Sequence, residues 1–250
     1  MRPVSPRNRK VAEAARLHRS QERSTRGETL IEGPHLLAEA ISAGVAPTTI
    51  FALVEDSFSQ TAAAESGASF VPVDEAGLSR VAGTKSPRGP VAVVPIPETR
   101  DKPVSGLLVA WGVSDPGNVG TMVRTATAFG WAFGHTDGTA DPWGPKVLRA
   151  GAGAQFSASI MAIVDPGQIR RLGFEPVATV VQGGSPPDEL KVGPFAILIG
   201  EEAAGLPDPV VAACDFAVTI PMPGGTESLN AAVAAGMVLY ELSKDRPGPS

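Results

Sequence analysis

The chain has 250 residues, 43% hydrophobic and 19% charged, which indicates a globular protein with one large or two smaller domains. Its single cysteine, Cys214, excludes an internal disulfide and a zinc site made of several cysteines, and is typical of a reducing compartment. No apolar run is long enough for a signal peptide or a membrane span, so we expect a cytoplasmic protein that does not enter a bilayer.

Positive charge is concentrated at the N-terminus. Residues 1–26 contain eight Lys and Arg against two Glu, although the whole chain has a formal net charge of −5. Because Lys and Arg release condensed counterions when they bind phosphates, a basic arm on an acidic body favours an anionic polymer as partner. A solvated leader without a function is the alternative.

Residues 27–97 alternate between strand-like and helix-like segments. Gly33-Pro34 begins an apolar-periodic stretch that ends at Gly44, which predicts a helix. Apolar, β-branched runs predict strands at 48–54 and 91–96. These segments indicate a small α/β domain, and the prolines among charged residues that follow predict a linker over 98–105.

A second domain is predicted over residues 106–250, where strands, loops and helices alternate. The predicted strands are all continuously apolar and lie at 106–113, 158–164, 176–181, 194–199 and 216–220. Continuous rather than alternating apolar residues indicate a parallel sheet covered on both faces. Because ligands of such sheets bind at the carboxyl ends of the strands, we expect the functional residues in the loops that follow them.

The loop after the first of these strands leads into a predicted helix with Asn118 as its N-cap. Arg124 lies off the apolar stripe of this helix, so it can face the mouth of the sheet; a surface ion pair is the alternative. Two later strands are followed by glycine-containing loops, residues 199–206 and 220–230. The second loop leads into a helix over 228–242 that is apolar nearly all round, which favours packing against a second subunit.

Three motifs in these loops occur in a fixed order. They read Asn118-x-Gly-x-x-x-Arg124-Thr-Ala, Gly200-x-Glu202-x-x-Gly-Leu and Ile220-Pro-Met-x-Gly-x-x-x-Ser-Leu-Asn230. Together they resemble the SpoU-type, TrmH-like branch of the SPOUT superfamily, the RNA ribose 2′-O-methyltransferases. Lys146 and Arg149 fall in a stretch similar to another segment of that family. Residues 27–97 resemble the ribosomal-protein-L30e-like substrate-binding domain that often precedes the catalytic domain.

The resemblance implies an α/β domain with a parallel sheet and a deep trefoil knot, S-adenosylmethionine as cofactor, and a homodimer in which two subunits share each active site. It assigns cofactor binding to the knot loops and the strand before them, at Thr179, Gly183, Gly200, Ile220, Met222 and Leu229. It assigns the catalytic and structural polar positions to Asn118, Arg124, Glu202, Ser228 and Asn230. Many relatives carry a second serine where this chain has Ala232, and we expect activity without that hydroxyl.

Methyl transfer to a ribose 2′-hydroxyl requires the hydroxyl oxygen close to the methyl carbon, in a site closed to water. The resemblance gives Arg124 the part of general base. A guanidinium is effectively always protonated, however, which favours a bidentate grip on a phosphate and stabilisation of the developing alkoxide. Glu202 is interpreted as structural, and Ser228 either orients a ligand or caps the last helix.

RNA contacts are predicted at basic residues of the arm, of the loop near residue 85 and of the catalytic half, at Arg9, Lys10, Arg26, Lys85, Arg88, Lys146 and Arg149. Ribosomal RNA, and 23S ribosomal RNA in particular, is the preferred substrate. The alternatives are a transfer-RNA ribose methyltransferase and a catalytically inactive, RNA-binding knot protein.

A nucleotide-binding oxidoreductase is disfavoured because Gly151-x-Gly153 lacks the third glycine of the dinucleotide motif. The three dispersed histidines have no metal-ligand spacing, so no metal is expected.

Overall fold

A computed structural model describes residues 2–87, 89–99, 104–190, 193–224 and 228–244. In chain order its strands are β1 (Glu28–Glu32), β2 (Thr49–Ala52), β3 (Ser69–Pro72), β4 (Val91–Pro95), β5 (Leu107–Ala110), β6 (Ala132–His135), β7 (Ile160–Ala162), β8 (Glu175–Thr179), β9 (Phe195–Ile199) and β10 (Phe216–Val218). Its α-helices are α1 (Arg9–Ala15), α2 (Ser20–Arg26), α3 (Pro34–Ser42), α4 (Ser57–Ser66), α5 (Glu75–Ala82), α6 (Pro116–Ala128), α7 (Pro145–Ala150), α8 (Pro166–Arg171), α9 (Asp208–Ala212) and α10 (Ala231–Ser243). The chain forms two compact units, Met1–Glu98 with Asp141–Phe156, and Thr99–Ala140 with Ser157–Ser250.

The first unit is built on a four-stranded sheet in the order β1-β4-β2-β3. Strand β4 is antiparallel to β1 and to β2, whereas β2 and β3 are parallel. Successive strand residues point to opposite faces, so Leu30 packs in one hydrophobic cluster and Ile31 in another. Helices α1 and α5 supply the cluster of Leu30, and helices α3, α4 and α7 supply that of Ile31. The small N-terminal domain expected from the sequence is therefore an α/β layer structure with a core on each face of its sheet.

The predicted basic arm is part of this first unit. Val11, Ala14 and Leu17 recur every three residues and are 0%, 3% and 0% exposed in the cluster that contains Leu30. Helix α1 packs against α5, and α2 is followed directly by β1. The structure thus corrects the prediction of a separate arm over residues 1–26. The apolar residues that alternate with the arginines form a face that packs in the core.

Residues 141–156 also belong to the first unit, although the sequence analysis assigned them to the domain over 106–250. Leu148 of α7 and Phe156 are 0% and 1% exposed in the cluster that contains Ile31. The Thr29 hydroxyl of β1 donates to the Trp143 carbonyl over 2.6 Å. The chain therefore leaves the second unit after residue 140 and returns to it after residue 156.

A buried ion pair joins α2 to this returning segment. Arg23 is 4% exposed and donates from Nε and Nη2 to Oδ2 of Asp141 and from Nη1 to the carbonyl of Leu17. Asp141 also accepts from the Ser20 hydroxyl and from the Trp143 amide, each over 2.9 Å. Both charges thus have the partners that a buried charge requires.

The second unit contains a six-stranded sheet in the order β10-β8-β9-β5-β6-β7, and every pairing in it is parallel. This confirms the parallel sheet that the apolar runs predicted. The sequence analysis missed β6, whose residues Ala132–His135 include only one large apolar side chain. Strands β10, β8 and β9 are neighbours, so their carboxyl ends lie side by side at one edge of the sheet.

Helix α10 packs on α6 and has two different faces. Ala235, Val238 and Leu239 are fully buried. Val233, Met237 and Tyr240, spaced at i, i+4 and i+7, are 51%, 47% and 61% exposed. We expected this helix to be buried on every side. A single chain buries only one of its faces and leaves the other exposed.

We predict that Asp141→Ala lowers the free energy of unfolding by about 3–5 kcal/mol, because it leaves the Arg23 guanidinium buried without its counter-charge. Urea denaturation followed by circular dichroism measures the change. Glu22→Ala is the matched control, since it breaks the more exposed pair with Arg19 and should cost less than about 1 kcal/mol. Equal losses in the two variants would contradict the assignment.

Candidate functional site

A cavity of about 410 Å³ opens at the carboxyl ends of β8, β9 and β10. Its described lining comes from these strand ends, the loops after them and the start of α10: Thr179, Val180, Val181, Ile199, Gly200, Glu201, Glu202, Ala203, Ala204, Gly205, Val218, Ile220, Met222, Ser228, Leu229, Ala231 and Ala234. This is the edge of a parallel sheet where ligands are expected, and the volume is that of a small-molecule site. The cavity lies wholly within the second unit.

The loop after β9 turns back on itself at the wall of this cavity. The Gly205 amide donates to the Glu201 carbonyl over 2.7 Å. A Cβ atom on Gly200 would lie 2.2 Å from the Gly205 carbonyl carbon, which the backbone cannot accommodate without moving. The glycine at position 200 is thus required for the close approach of the two ends of the loop.

Three of the predicted polar residues form one hydrogen-bonded network. Glu202 Oε1 accepts from Nδ2 of Asn118 over 2.7 Å and from Nδ2 of Asn230 over 2.6 Å. Nδ2 of Asn230 also donates to Oδ1 of Asn118 over 2.9 Å. The network joins the start of α6, the loop after β9 and the start of α10, which are far apart in the sequence. A carboxylate is an acceptor only, and two amide groups supply the donors that it needs.

Helix caps hold both asparagines in position. The side chain of Asp115 accepts from the Asn118 amide over 2.8 Å and caps α6, so Asn118 is the third residue of the helix and not its predicted N-cap. Asn230 caps α10 and accepts from the amides of Ala232 and Val233. Asn230, and not Ser228, is therefore the N-cap of the last helix, and Ser228 lines the cavity.

The cavity wall contains a second carboxylate, that of Glu201, which was not among the predicted site residues. Its Oε1 accepts from the Ser114 hydroxyl over 3.2 Å, so the loop after β5 contacts Glu201, while Asn118 at the start of α6 contacts Glu202. The described lining residues include these two carboxylates and no Lys, Arg or His. The sequence carried no signal for Glu201, because this residue occupies the variable position between Gly200 and Glu202.

Five of the six predicted cofactor residues line the cavity, namely Thr179, Gly200, Ile220, Met222 and Leu229. Gly183 does not. It has a positive φ of 84° and precedes Gly184, where a Cβ atom would lie 2.6 Å from the Val218 carbonyl carbon. Gly183 therefore belongs to the turn that lets the chain pass close to β10, and not to the cavity wall.

Arg124 stands apart from the cavity lining. It is exposed on α6, and the described residues give it neither a hydrogen bond nor an ion pair. The alternative interpretation of Arg124, a surface ion pair, is therefore not found among the described residues of the chain. A free guanidinium of this kind is available to bind an anion.

The predicted RNA contacts that the structure describes all belong to the first unit: Arg9, Lys10, Arg26, Lys85, Lys146 and Arg149. Arg88 lies outside the described residues. Three of the others form ion pairs, Arg9 with Glu13, Arg26 with Glu28, and Arg149 with Glu32. Lys10 donates to the Ser69 hydroxyl over 3.2 Å, whereas Lys85 and Lys146 are exposed without such a contact among the described residues.

The titrating groups with a resolved shift lie away from the cavity. Burial raises the pKa of Cys214 to about 11, so its thiol stays protonated at neutral pH. The hydrogen bond to Asp215 raises the pKa of Arg170, which donates from Nη2 to Oδ1 of that carboxylate over 2.9 Å. These groups form a structural cluster beside β10.

Among the residues that the structure describes, no group of three or more His, Cys, Asp or Glu is arranged to hold a metal ion. The described helices also include none with the length and apolar character needed to cross a membrane.

The residues that line the cavity lie within a segment that matches a known family. Residues 106–240 match the SpoU rRNA Methylase family, and residues 8–92 match the MRM3-like substrate binding domain. The second match includes α1 and α2, in agreement with their packing in the first unit.

The chain is also similar to individual proteins over nearly its whole length. It is 35% identical over 244 residues to the 23S rRNA (guanosine(2553)-2′-O)-methyltransferase RlmP of Bacillus subtilis, a match that covers 95% of this chain and 97% of that protein. The SpoU methyltransferase AviRb from Streptomyces viridochromogenes, solved in complex with AdoMet, superimposes with a TM-score of 0.86 at 26% identity, covering 96% of this chain and 98% of that chain. An RNA 2′-O ribose methyltransferase superimposes with a TM-score of 0.80 at 29% identity, covering 98% and 99%.

Asn230→Asp separates the two roles of this side chain. We predict that α10 remains capped, since Asp is a good N-cap, but that two carboxylates now face each other and lower the stability by about 1–3 kcal/mol at neutral pH. Urea denaturation at several pH values measures the loss, which should shrink in acid as one carboxylate of the pair is protonated. A loss that does not depend on pH would contradict the network, and Asn230→Ser, which keeps a capping group without a second charge, is the control.

Proposed function

Because the chain belongs to the SpoU rRNA methylase family, we propose that it methylates a ribose 2′-hydroxyl of RNA with S-adenosylmethionine, and that its substrate is 23S ribosomal RNA. The observation that carries this proposal is the hydrogen-bonded network of Asn118, Glu202 and Asn230, which joins the three motif segments at Glu202 in the cavity wall. The choice of 23S ribosomal RNA is supported by the substrate in the name of the Bacillus subtilis relative. We propose the cytoplasm as the place of action.

The cavity fits such a cofactor. Apolar side chains such as Ile199, Ile220, Met222 and Leu229 suit an adenosine group, and exposed backbone groups of the strand ends can bind its polar atoms. The two carboxylates, with no cationic side chain among the described lining residues, suit a ligand that carries positive charge. When bound, S-adenosylmethionine supplies an electrophilic methyl group on a positively charged sulfur.

The protein itself orients the two reactants and stabilises the negative charge that develops on the attacking oxygen. The amide and carboxylate network holds the loop after β9 and the start of α10 in fixed positions, which keeps the cavity preorganised. We propose that Arg124 grips the phosphate beside the target nucleotide with its planar guanidinium and stabilises the oxygen as its proton leaves. This role uses a permanently protonated group and does not require it to act as a base.

We further propose that two subunits pair through the exposed stripe of α10, formed by Val233, Met237 and Tyr240. Large apolar side chains at this spacing form a continuous surface, of the kind that a partner covers. Helix α10 packs on α6, so such pairing brings Arg124 close to the subunit boundary and lets it serve the partner's cavity.

We also propose that the chain around the cavity forms the trefoil knot of this family. In support, residues 184 and 185 pass in contact with β10.

The enzymatic proposal predicts that Arg124→Ala lowers methyl transfer by about 10²–10³-fold, while the affinity for S-adenosylmethionine stays unchanged. Arg124→Lys should not restore the rate, because a point charge lacks the planar fork. The measurement is transfer of labelled methyl groups to 23S ribosomal RNA and to transfer RNA, followed by mapping of the 2′-O-methyl position.

Arg171→Ala is the matched control, since Arg171 is also exposed in the second unit and has no ion-pair partner among the described residues. Wild-type activity in Arg124→Ala would refute the role of the arginine. Methylation of transfer RNA alone would refute the substrate class, and cofactor binding without any transfer would favour the inactive RNA-binding alternative.

The dimer proposal predicts that Met237→Asp weakens self-association by about 100-fold, because it puts a charge into an apolar contact. Sedimentation equilibrium measures the association constant. Ile41→Asp, at another partly exposed apolar position, should leave it unchanged. A wild-type chain that sediments as a monomer would refute the pairing.

A further inference from the structure

Charge in the cavity is unbalanced. Its described lining contains the carboxylates of Glu201 and Glu202 and no cationic side chain. Glu202 already accepts two amide hydrogen bonds, from Asn118 and Asn230. Glu201 has one hydrogen bond, to its Oε1 from the Ser114 hydroxyl, and the described residues give Oε2 of neither glutamate a partner. Glu201 therefore has fewer hydrogen-bond donors than Glu202, so more of its negative charge is available to a ligand.

The methyl donor and its product differ in charge. S-adenosylmethionine has a positively charged sulfonium, and S-adenosylhomocysteine has a neutral thioether in its place. When the C–S bond breaks, its electron pair stays on sulfur and the positive charge disappears from the cavity. A carboxylate near this position attracts the donor and has no such attraction for the product, because the Coulomb interaction depends on the ligand's charge.

We propose that Glu201 is the residue by which the cavity prefers the charged donor over its neutral product. The inference rests on the proposed function, since it requires the cofactor to occupy this cavity. Ser114 is a positioning residue, because its hydroxyl fixes one oxygen of Glu201 and leaves the other free for the ligand. The family motif assigns no role to Glu201, which occupies the variable position between Gly200 and Glu202.

The exposure of Glu201 limits the size of the effect. Water and salt screen a charge at the open edge of a cavity more than one in a closed interior. The preference should therefore be several-fold, and it should weaken as the salt concentration rises.

Glu201→Gln tests the proposal, because the amide keeps the shape and can still accept from Ser114 while removing the charge. We expect S-adenosylmethionine to bind about fivefold more weakly, as does sinefungin, a stable analogue with an amine in place of the methylated sulfur. The affinity for S-adenosylhomocysteine should be unchanged. Isothermal titration calorimetry on the full chain, at low and at high salt, measures all three dissociation constants without turnover.

Glu175→Gln is the matched control, since it removes the same charge at the opposite end of β8, the strand whose Thr179 lines the cavity. It should leave all three affinities unchanged. Equal weakening of all three ligands by Glu201→Gln would overturn the proposal, because the carboxylate would then bind the ammonium group that they share. Unchanged affinities would also overturn it. Failure of the wild-type chain to bind any of the three would refute the cofactor assignment itself, which is a distinguishable outcome.

Discussion

The site depends on one carboxylate that has two amide donors. Glu202 lies on the loop after β9, and its Oε1 accepts from the start of α6 and from the start of α10. Each donor belongs to a helix whose first turn is capped, by Asp115 in α6 and by Asn230 in α10. Because the caps fix the helix ends and the network joins them to the loop, the cavity wall forms as a unit. Removing one member leaves the others with unmet hydrogen bonds.

The distribution of charge explains how one protein can bind both a cation and a polyanion. The second unit contains eight Lys and Arg against 14 Asp and Glu, so its field favours a positively charged methyl donor. The first unit contains 13 Lys and Arg against 12 Asp and Glu, and five of these cations are paired with acidic side chains. Lys85 and Lys146, which have no acidic partner among the described residues, are available to phosphates. Arg124 then provides local positive charge in an otherwise acidic unit.

The sequence predicted features that depend on local pattern or on a complete motif. Continuous apolar runs identified five of the six strands of the parallel sheet, and the second and third motifs identified residues such as Gly200, Glu202 and Leu229 that line the cavity. The sequence did not predict that Asp115 caps α6, because Asp115 and Asn118 both suit an N-cap position and only the hydrogen bonds decide between them. Glu201 was missed for a similar reason. Its role depends on its contact with Ser114, which is distant in the sequence, and not on its own motif position.

The predicted domain boundaries were wrong for residues 141–156, and the reason is physical. The family match over 106–240 is continuous, yet residues 141–156 belong to the first unit. A chain that ended at residue 98 would contain Arg23 without Asp141 and a sheet face without Leu148 and Phe156. A buried guanidinium without a counter-charge and an apolar face open to water both oppose folding. The substrate-binding unit is therefore completed by a segment that the sequence encodes inside the catalytic half, and residues 1–98 alone do not specify it.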